Sequence, residues 1–459
     1  MVVWLLDGHG RILTAATIAA AVGFVAAYDP VLGFIALAAA VLALLVLAAP
    51  QAVLLVLLAA LPWEGVLGYP SDALSVVKLL GMLLLVAFLF KTLQGDHRLR
   101  APPTTYAVGL LGLLVTLSFI VSPAPGAESG TLLRYYLFLG FFFLMVQLVQ
   151  DEAGVLKVLR VTALSVTVAS MVGLISFLQG HVDRVAGPIP DPNDFGYLMA
   201  TTLPLLGYLI IADRRWRPVW AVSFPIVLAG TLATLSRGAI VAVGALLVWA
   251  LLTRRIKLGG LILSTAALAA VLIAGLLLFS PLINERLESK SNIAAENVDS
   301  REALWRGAIA MSMDHPVTGV GPGRFGVEST DYVRDNPIVL SDPVAHNTYL
   351  QILAESGPFT LAAFLAFLGG SWISLSRYRK RCAAVPDVAG VRLATAVQAG
   401  LLVAIVGGVF LSENLANPLW LLGALAAIIT GPVASRQLPV PQTTASRRPA
   451  GRPEFAQSH

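Results

Sequence analysis

Lys78, Arg134, Arg184 and Arg237 sit where a membrane chain should not carry cations. Each lies at or just inside the outer end of an apolar run. Arg286, Arg301, Arg306, Arg324 and Arg334 add to them in the chain's one long polar segment. An ionisable group in a span is costly and marks a functional candidate. Lys78 and Arg134 stand about 7 Å into their runs by helical rise. Converged, these groups make an anion site at the outer membrane interface. Arginine forks suit phosphate, and several together suit a diphosphate. Isolated cations would instead snorkel to lipid headgroups.

A histidine completes the set. In VAHNTYLQILAESGPFT (344–360), His346 and Asn347 precede a long apolar run. Ser341 or Asp342 before Pro343 reads as a helix start, which places His346 in the first turn. The positive end of the helix and nearby arginines disfavour an imidazolium there. A neutral imidazole is what a general base needs near pH 7. On that helix His346, Leu350, Leu353 and Gly357 share a face. Glu355 lies on another face, about 13 Å further in, and reads as a structural partner for a basic group. Two rims accompany these residues. RVAGPIPDPNDFGY (184–197) carries Arg184, and TLSRGA (234–239) holds Arg237 in a short turn.

The elements that must position them are membrane helices. Of the 459 residues, 57% are hydrophobic and 12% charged, with a mean hydropathy of +0.81; soluble domains carry about 25% charged residues. An all-α polytopic membrane protein follows, since unpaired backbone is too costly in lipid. Apolar runs fall near 12–28, 31–49, 51–67, 73–93, 105–121, 130–150, 155–178, 194–212, 217–235, 237–253, 257–279, 346–375, 389–411 and 417–434, which predicts about 12–14 spans. The first run lacks a cleavage signal and reads as a retained span. The expected division is transmembrane helices over 1–279, a large extracytoplasmic loop over 280–345, C-terminal transmembrane helices over 346–434, and a disordered cytoplasmic tail over 435–459.

Orientation follows from basic loops. KTLQGDHRLR (91–100), Lys157 with Arg160, RRWR (214–217), RRIK (254–257) and RYRKR (377–381) alternate with SPAPGAES (122–129), HVDRVAGPIPDPND (181–194) and SENLAN (412–417). The basic set faces the cytoplasm, and so do both termini. Within the outer loop, Leu304, Trp305, Ala308, Ile309 and Met311 fall at helical spacing. Asp299 and Ser300 are candidate caps, and Pro316 with the glycines of TGVGPGRFG (318–326) ends that helix.

Other chemistry is unsupported. Cys382 is the one cysteine and frames no disulfide. His9, His97, His181, His315, His346 and His459 are scattered, without metal-ligand spacing. Gly319–Gly323 lacks the lysine that a P-loop needs. No metal and no cofactor are expected.

Five ordered motifs carry a resemblance: R-x-x-G…PN-x-F-G (184–196), T-L-S-R-G (234–238), S-R-x-x-L-W (300–305), H-P-x-T-G-V-G-P-G-x-F (315–325) and H-N-x-x-L-Q-x-L-A-E-x-G (346–357). The chain resembles the O-antigen ligase and O-antigen polymerase superfamily of bacterial membrane glycosyltransferases, best over 184–365. The resemblance implies a GT-C-like, inverting, metal-independent glycosyltransferase of the inner membrane, with its site facing the periplasm. The implied donor is a glycan on undecaprenyl diphosphate, and the acceptor a glycan or lipid A core; no nucleic acid is involved. By the same resemblance Arg237 and Arg301 hold the diphosphate, joined by Arg184, and His346 activates the acceptor hydroxyl. Lys78, Arg134 and Asn347 are possible supporting residues. A different class, a transporter or flippase of an anionic glycolipid, would use the same cations for binding alone. Matched discontinuous helices in two halves would favour it, and none pair up in this sequence. A scaffold for envelope assembly would tolerate loss of His346.

Overall fold

A computed structural model describes residues 49–66, 75–93, 99–124, 128–253, 300–333, 344–384 and 387–431. The runs expected at 12–28 and 257–279, nearly all of 31–49, the 435–459 tail, Arg286, Asp299 and Arg334 lie outside them. The described residues form helices and turns, with no strand. In chain order the helices are α1 (Pro50–Ala60), α2 (Val76–Leu93), α3 (Pro103–Val121), α4 (Ser129–Leu148), α5 (Glu152–Leu178), α6 (Pro192–Ala212), α7 (Arg217–Ala233), α8 (Arg237–Leu252), α9 (300–314), α10 (Phe325–Tyr332), α11 (Thr348–Ala384), α12 (Val388–Gly407) and α13 (Asn417–Thr430).

Helices α3, α4, α5, α6, α11 and α12 are long and apolar enough to cross a membrane, and α1, α2, α7, α8 and α13 are shorter apolar helices. The protein is an all-helical, multi-pass membrane protein. Proline in the first turn starts α1, α3, α6, α7 and α13, where its missing N–H costs nothing. Asp151 caps α5 by accepting from the Gly154 amide at 2.7 Å, and Asp387 caps α12 through the Gly390 amide at 2.8 Å.

Helix α6 runs through the middle, against α5, α7, α8 and α12. It is buried almost throughout its first five turns, from Phe195 to Leu209. Helix α13 is likewise buried nearly all round. Lipid offers little hydrophobic drive between helices, so close packing and polar links must hold them. Trp420 of α13 stacks on Phe367 of α11 at 5.3 Å and on Phe138 of α4 at 6.2 Å. Asn414 Nδ2 donates to the Tyr135 hydroxyl at 2.8 Å, tying the turn before α13 to α4.

The two ends of the bundle differ in charge. At one end Arg160 forks onto Asp213, at 2.7 and 2.9 Å, beside Trp220, and Arg379 donates to Gln398 at 2.8 Å. These belong to the basic loops assigned to the cytoplasm. The turns at 122–124, 179–191, 234–236 and 408–416 gather at the other end with α9 and α10.

The segment 344–347 is not helical, which corrects the start expected at Pro343. Asn347 is the cap: its Oδ1 accepts from the amides of Tyr349 and Leu350, at 3.0 and 3.1 Å. His346 therefore stands one residue before the cap, not in the first turn. Helix α11 is also broken. Gly357 has φ +79°, and a Cβ there would fall onto the Val317 carbonyl. The break frees carbonyls that the polar segment uses: the amides of Val320 and Gly321 donate to Ala354 and Glu355, at 2.9 and 2.8 Å. Ser118 of α3 donates to the Thr318 carbonyl at 2.6 Å, a second tie from the bundle. The helix expected around Leu304 to Met311 is present as α9, and ends before Pro316 as expected. Ser300 is already helical.

Candidate functional site

The turn after α12 organises the site. Arg301, in the first turn of α9, reaches it with Nη1 donating to the Phe410 carbonyl at 3.4 Å. Gly238, next to Arg237, packs against Phe410 and Leu411 so closely that a Cβ would stand 3.0 Å from Phe410 Cβ. Thr348 is pinned there too: its amide donates to the Gly408 and Leu411 carbonyls, and its hydroxyl to Leu411, each at 2.8 Å. The same hydroxyl accepts the Glu413 amide at 2.7 Å. On the other flank of His346, the Trp305 indole of α9 donates to the Ala345 carbonyl at 2.9 Å. Arg237, Arg301 and the backbone of His346 are thus collected around one turn, from α8, α9 and the approach to α11.

Arg184 joins them from the 179–191 rim. Its Nε donates to the Thr234 carbonyl at 2.8 Å and its Nη2 to Asn193 Oδ1 at 2.9 Å. The Val185 amide adds a bond to the Ala233 carbonyl at 3.1 Å. These bonds lock the rim to the turn that carries Arg237, so part of the Arg184 guanidinium serves to position.

The three arginines are close enough to feel one another. Burial lowers the Arg184 pKa below the usual guanidinium value; Asp191 opposes this and Arg301 adds to it. Burial likewise lowers that of Arg301, helped by Arg237 and opposed by Asp191. Crowded like charges, here with Arg184 and Arg301 half-buried and Arg237 exposed, are unfavourable alone and favourable around an anion.

Among the described residues two non-glycine positions have left-handed backbone, Leu235 (φ 52°) and His346 (φ 47°). Each adjoins the site, two residues before Arg237 and at the histidine itself. Such conformations cost on the order of 1 kcal/mol and cluster at functional sites.

The remaining predicted residues stand apart. Lys78 and Arg134 line a cavity of about 870 Å³ between α2, α4, α6, α11 and the 412–418 segment. Lys78 lies 4.0 Å from Glu64. The cavity also receives Asp194, Gln351, Glu355, Ser412 and Glu413, with Leu85, Phe138, Phe141 and Leu144 forming an apolar side. Glu355 does not pair with a basic group among the described residues, against expectation. It is 2% exposed and accepts from Gln351 Nε2 at 3.2 Å and the Phe325 amide at 3.4 Å. It therefore fastens α10 to the broken helix. Arg306 and Arg324 are spent in ion pairs one turn along, with Glu302 and Glu328. Asn347 acts as a cap.

Reading by sequence missed Asp194 and Glu413. Their carboxyl groups line the same cavity and lie close enough to feel each other. The signal was present: Glu413 is a lone charge in the apolar hairpin loop SENLAN, and Asp194 belongs to the PN-x-F-G motif. No curated protein matches the chain. Residues 222–365, which hold Arg237, Arg301, His346 and the break at Gly357, match the family model described as O-antigen ligase. Over that segment the chain is similar to the O-antigen ligase family.

Proposed function

We propose that the protein is a metal-independent, inverting glycosyltransferase. It would move a glycan from undecaprenyl diphosphate to an acceptor hydroxyl at the periplasmic face of the inner membrane. The observation that carries this reading is the gathering of Arg237, Arg301, Arg184 and the His346 segment about the 408–411 turn. The basic loops at the opposite end of the bundle support the outward orientation.

In this reading Arg237 and Arg301 hold the diphosphate, and Arg184 holds the rim that frames it. The acceptor oxygen attacks the anomeric carbon from the face opposite the diphosphate. The bond from that carbon to the diphosphate oxygen breaks as the new glycosidic bond forms. The acceptor proton passes to the imidazole of His346 and on to solvent, and undecaprenyl diphosphate leaves with the bonding electron pair. Cationic groups fixed beside the leaving group favour charge as it develops there. A histidine positioned at the acceptor contributes about 10²–10⁴-fold.

The test uses purified protein and the His346→Ala variant. Each is incubated in EDTA with an oligosaccharide on undecaprenyl diphosphate, with and without lipid A core, and the glycans are separated on a gel. A ladder without added core marks a polymerase. Product formed only with core marks a ligase. Full activity in His346→Ala would overturn the assignment of the base, and loss of wild-type activity in EDTA would overturn metal independence.

A further inference from the structure

Helix α9 has two unlike sides. Leu304, Ala308 and Met311 are buried with Phe325, Ala345 and Ala354 in a small core against the helix. Glu302, Arg306, Ile309 and Met313 are exposed, and their spacing puts them in one stripe on the opposite side. The stripe changes character along its length. Its first part holds the Glu302–Arg306 ion pair. Its last part holds Ile309 and Met313, the latter 73% exposed, and Val317, 60% exposed, follows in the turn beyond. Asp314, next to Met313, is turned to α10, where it accepts from the Tyr332 hydroxyl at 2.8 Å.

Two membrane helices give the height of the apolar end. A hydrocarbon core of about 30 Å takes about 20 helical residues. Arg377 opens the run RYRKR at the basic end of α11. Counting about 20 residues back from it reaches Gly357, which packs on the Val317 carbonyl. The same count forward from Arg100, the last basic residue before α3, ends at about residue 120. Ser118, just short of that point, donates to the Thr318 carbonyl at 2.6 Å. Both counts put residues 317 and 318 at the edge of the hydrocarbon, on the side opposite the basic loops. Phe359, exposed just past Gly357, begins the lipid-facing surface of α11, which continues with Leu365 and Ile373. The apolar end of α9 therefore stands at the height of a surface that already meets lipid. Arg306 lies about 10 Å back along the helix from Met313.

We propose that α9 is an interfacial membrane helix, with Met313 and Val317 seated among the acyl chains of the leaflet opposite the basic loops, at the height of Phe359. The partner is the lipid surface itself. Helices of this kind sink their apolar part about 5–10 Å into the boundary of headgroups and acyl chains and keep their charges in water. The unbranched methionine side chain adapts to irregular surroundings such as acyl chains. At its other end α9 carries Arg301, so one helix joins the bilayer surface to the arginine group.

The test uses the full chain in phosphatidylcholine nanodiscs, with nitroxide labels on single cysteines at 302, 306, 313, 317 and 359. All five replaced side chains are exposed, so packing is kept. Cys382 is buried and stays in place, and the wild type taken through the same labelling is the control. Oxygen concentrates in lipid, and a nickel chelate stays in water. The ratio of oxygen to nickel collisions should be about tenfold higher at Met313→Cys, Val317→Cys and Phe359→Cys than at Glu302→Cys and Arg306→Cys. Nickel access at 313 and 317 equal to that at 302 overturns the proposal, because the stripe then faces water. Labels there shielded from both probes also overturn it, because protein then covers the stripe. The unsubstituted chain gives a second measurement. A phospholipid with a diazirine on the upper part of an acyl chain should crosslink to the tryptic peptide 307–324, released by cleavage after Arg306 and Arg324. Labelling of the peptide that holds Phe359 without labelling of 307–324 overturns the proposal.

Discussion

Arg301 and Thr348 are held by consecutive carbonyls of one turn, Arg301 by that of Phe410 and Thr348 by that of Leu411. The start of α11 and the first turn of α9 are therefore registered by the same two-residue backbone segment. Thr348→Val removes a hydroxyl that both donates to Leu411 and accepts from Glu413. It leaves a buried amide unsatisfied, at about 1–3 kcal/mol. A thermal shift in detergent should show the lower stability, and donor affinity should fall with it, because the Phe410 carbonyl loses its fixed position.

His346 combines a special backbone with a proposed chemical role. Asparagine tolerates left-handed backbone as histidine does and has no basic nitrogen. His346→Asn should therefore keep the thermal stability within about 0.5 kcal/mol and lose transfer by about 100-fold or more. Side-by-side melting and glycan-transfer assays check this. Wild-type transfer in the Asn variant would leave the residue only its role in shaping the turn.

For the arginines, shape should matter beyond charge. Arg237→Ala and Arg301→Ala should each weaken binding of undecaprenyl diphosphate by about 10–100-fold, the loss of one charge-assisted hydrogen-bonding group. Lysine at either position should recover part of it, since the fork is absent. Titration with undecaprenyl diphosphate in nanodiscs measures the series, and full recovery by lysine would argue for simple charge attraction.

Gly357→Ala places a Cβ at φ +79° against the Val317 carbonyl. The cost should exceed about 1 kcal/mol. Limited proteolysis checks where it acts: the 315–325 segment should become the new cleavage site while the membrane helices stay protected.

Burial and the neighbouring Asp194 push the Glu413 carboxyl well above its ordinary value of 4.5. The folded protein thus holds a proton that the unfolded chain releases. Stability contributed by that proton is complete below pH 4.5 and falls as the pH rises from there toward the folded value. Melting temperatures measured from pH 5 upward should decline in the wild type, and the slope should be shallower in Glu413→Gln.

Much of the helical layout was legible in the sequence because the length of an apolar run is a local property. Arg184, Arg237 and Arg301 could be chosen because charge is rare in such a chain. What sequence could not supply was pairing across distance. Asp194 and Glu413 meet only after α6 and the last helical hairpin pack together. Glu355 was expected to seek a cation, and instead takes a side-chain amide and a backbone amide within the bundle. The position of His346 was missed for a local reason. Asp-Pro and Asn-Thr both make plausible helix starts, and the competition was decided by the tertiary bonds of Thr348 to Gly408 and Leu411.

The break at Gly357 bears on how the protein is made. Carbonyls left open in a membrane helix are intolerable in lipid, and those of Ala354 and Glu355 are closed by amides synthesised some thirty residues earlier. The 315–325 segment must therefore wait at the membrane surface until α11 emerges. Insertion of that helix and folding of the segment become one event, so a chain halted before Gly357 would have no means of completing that segment.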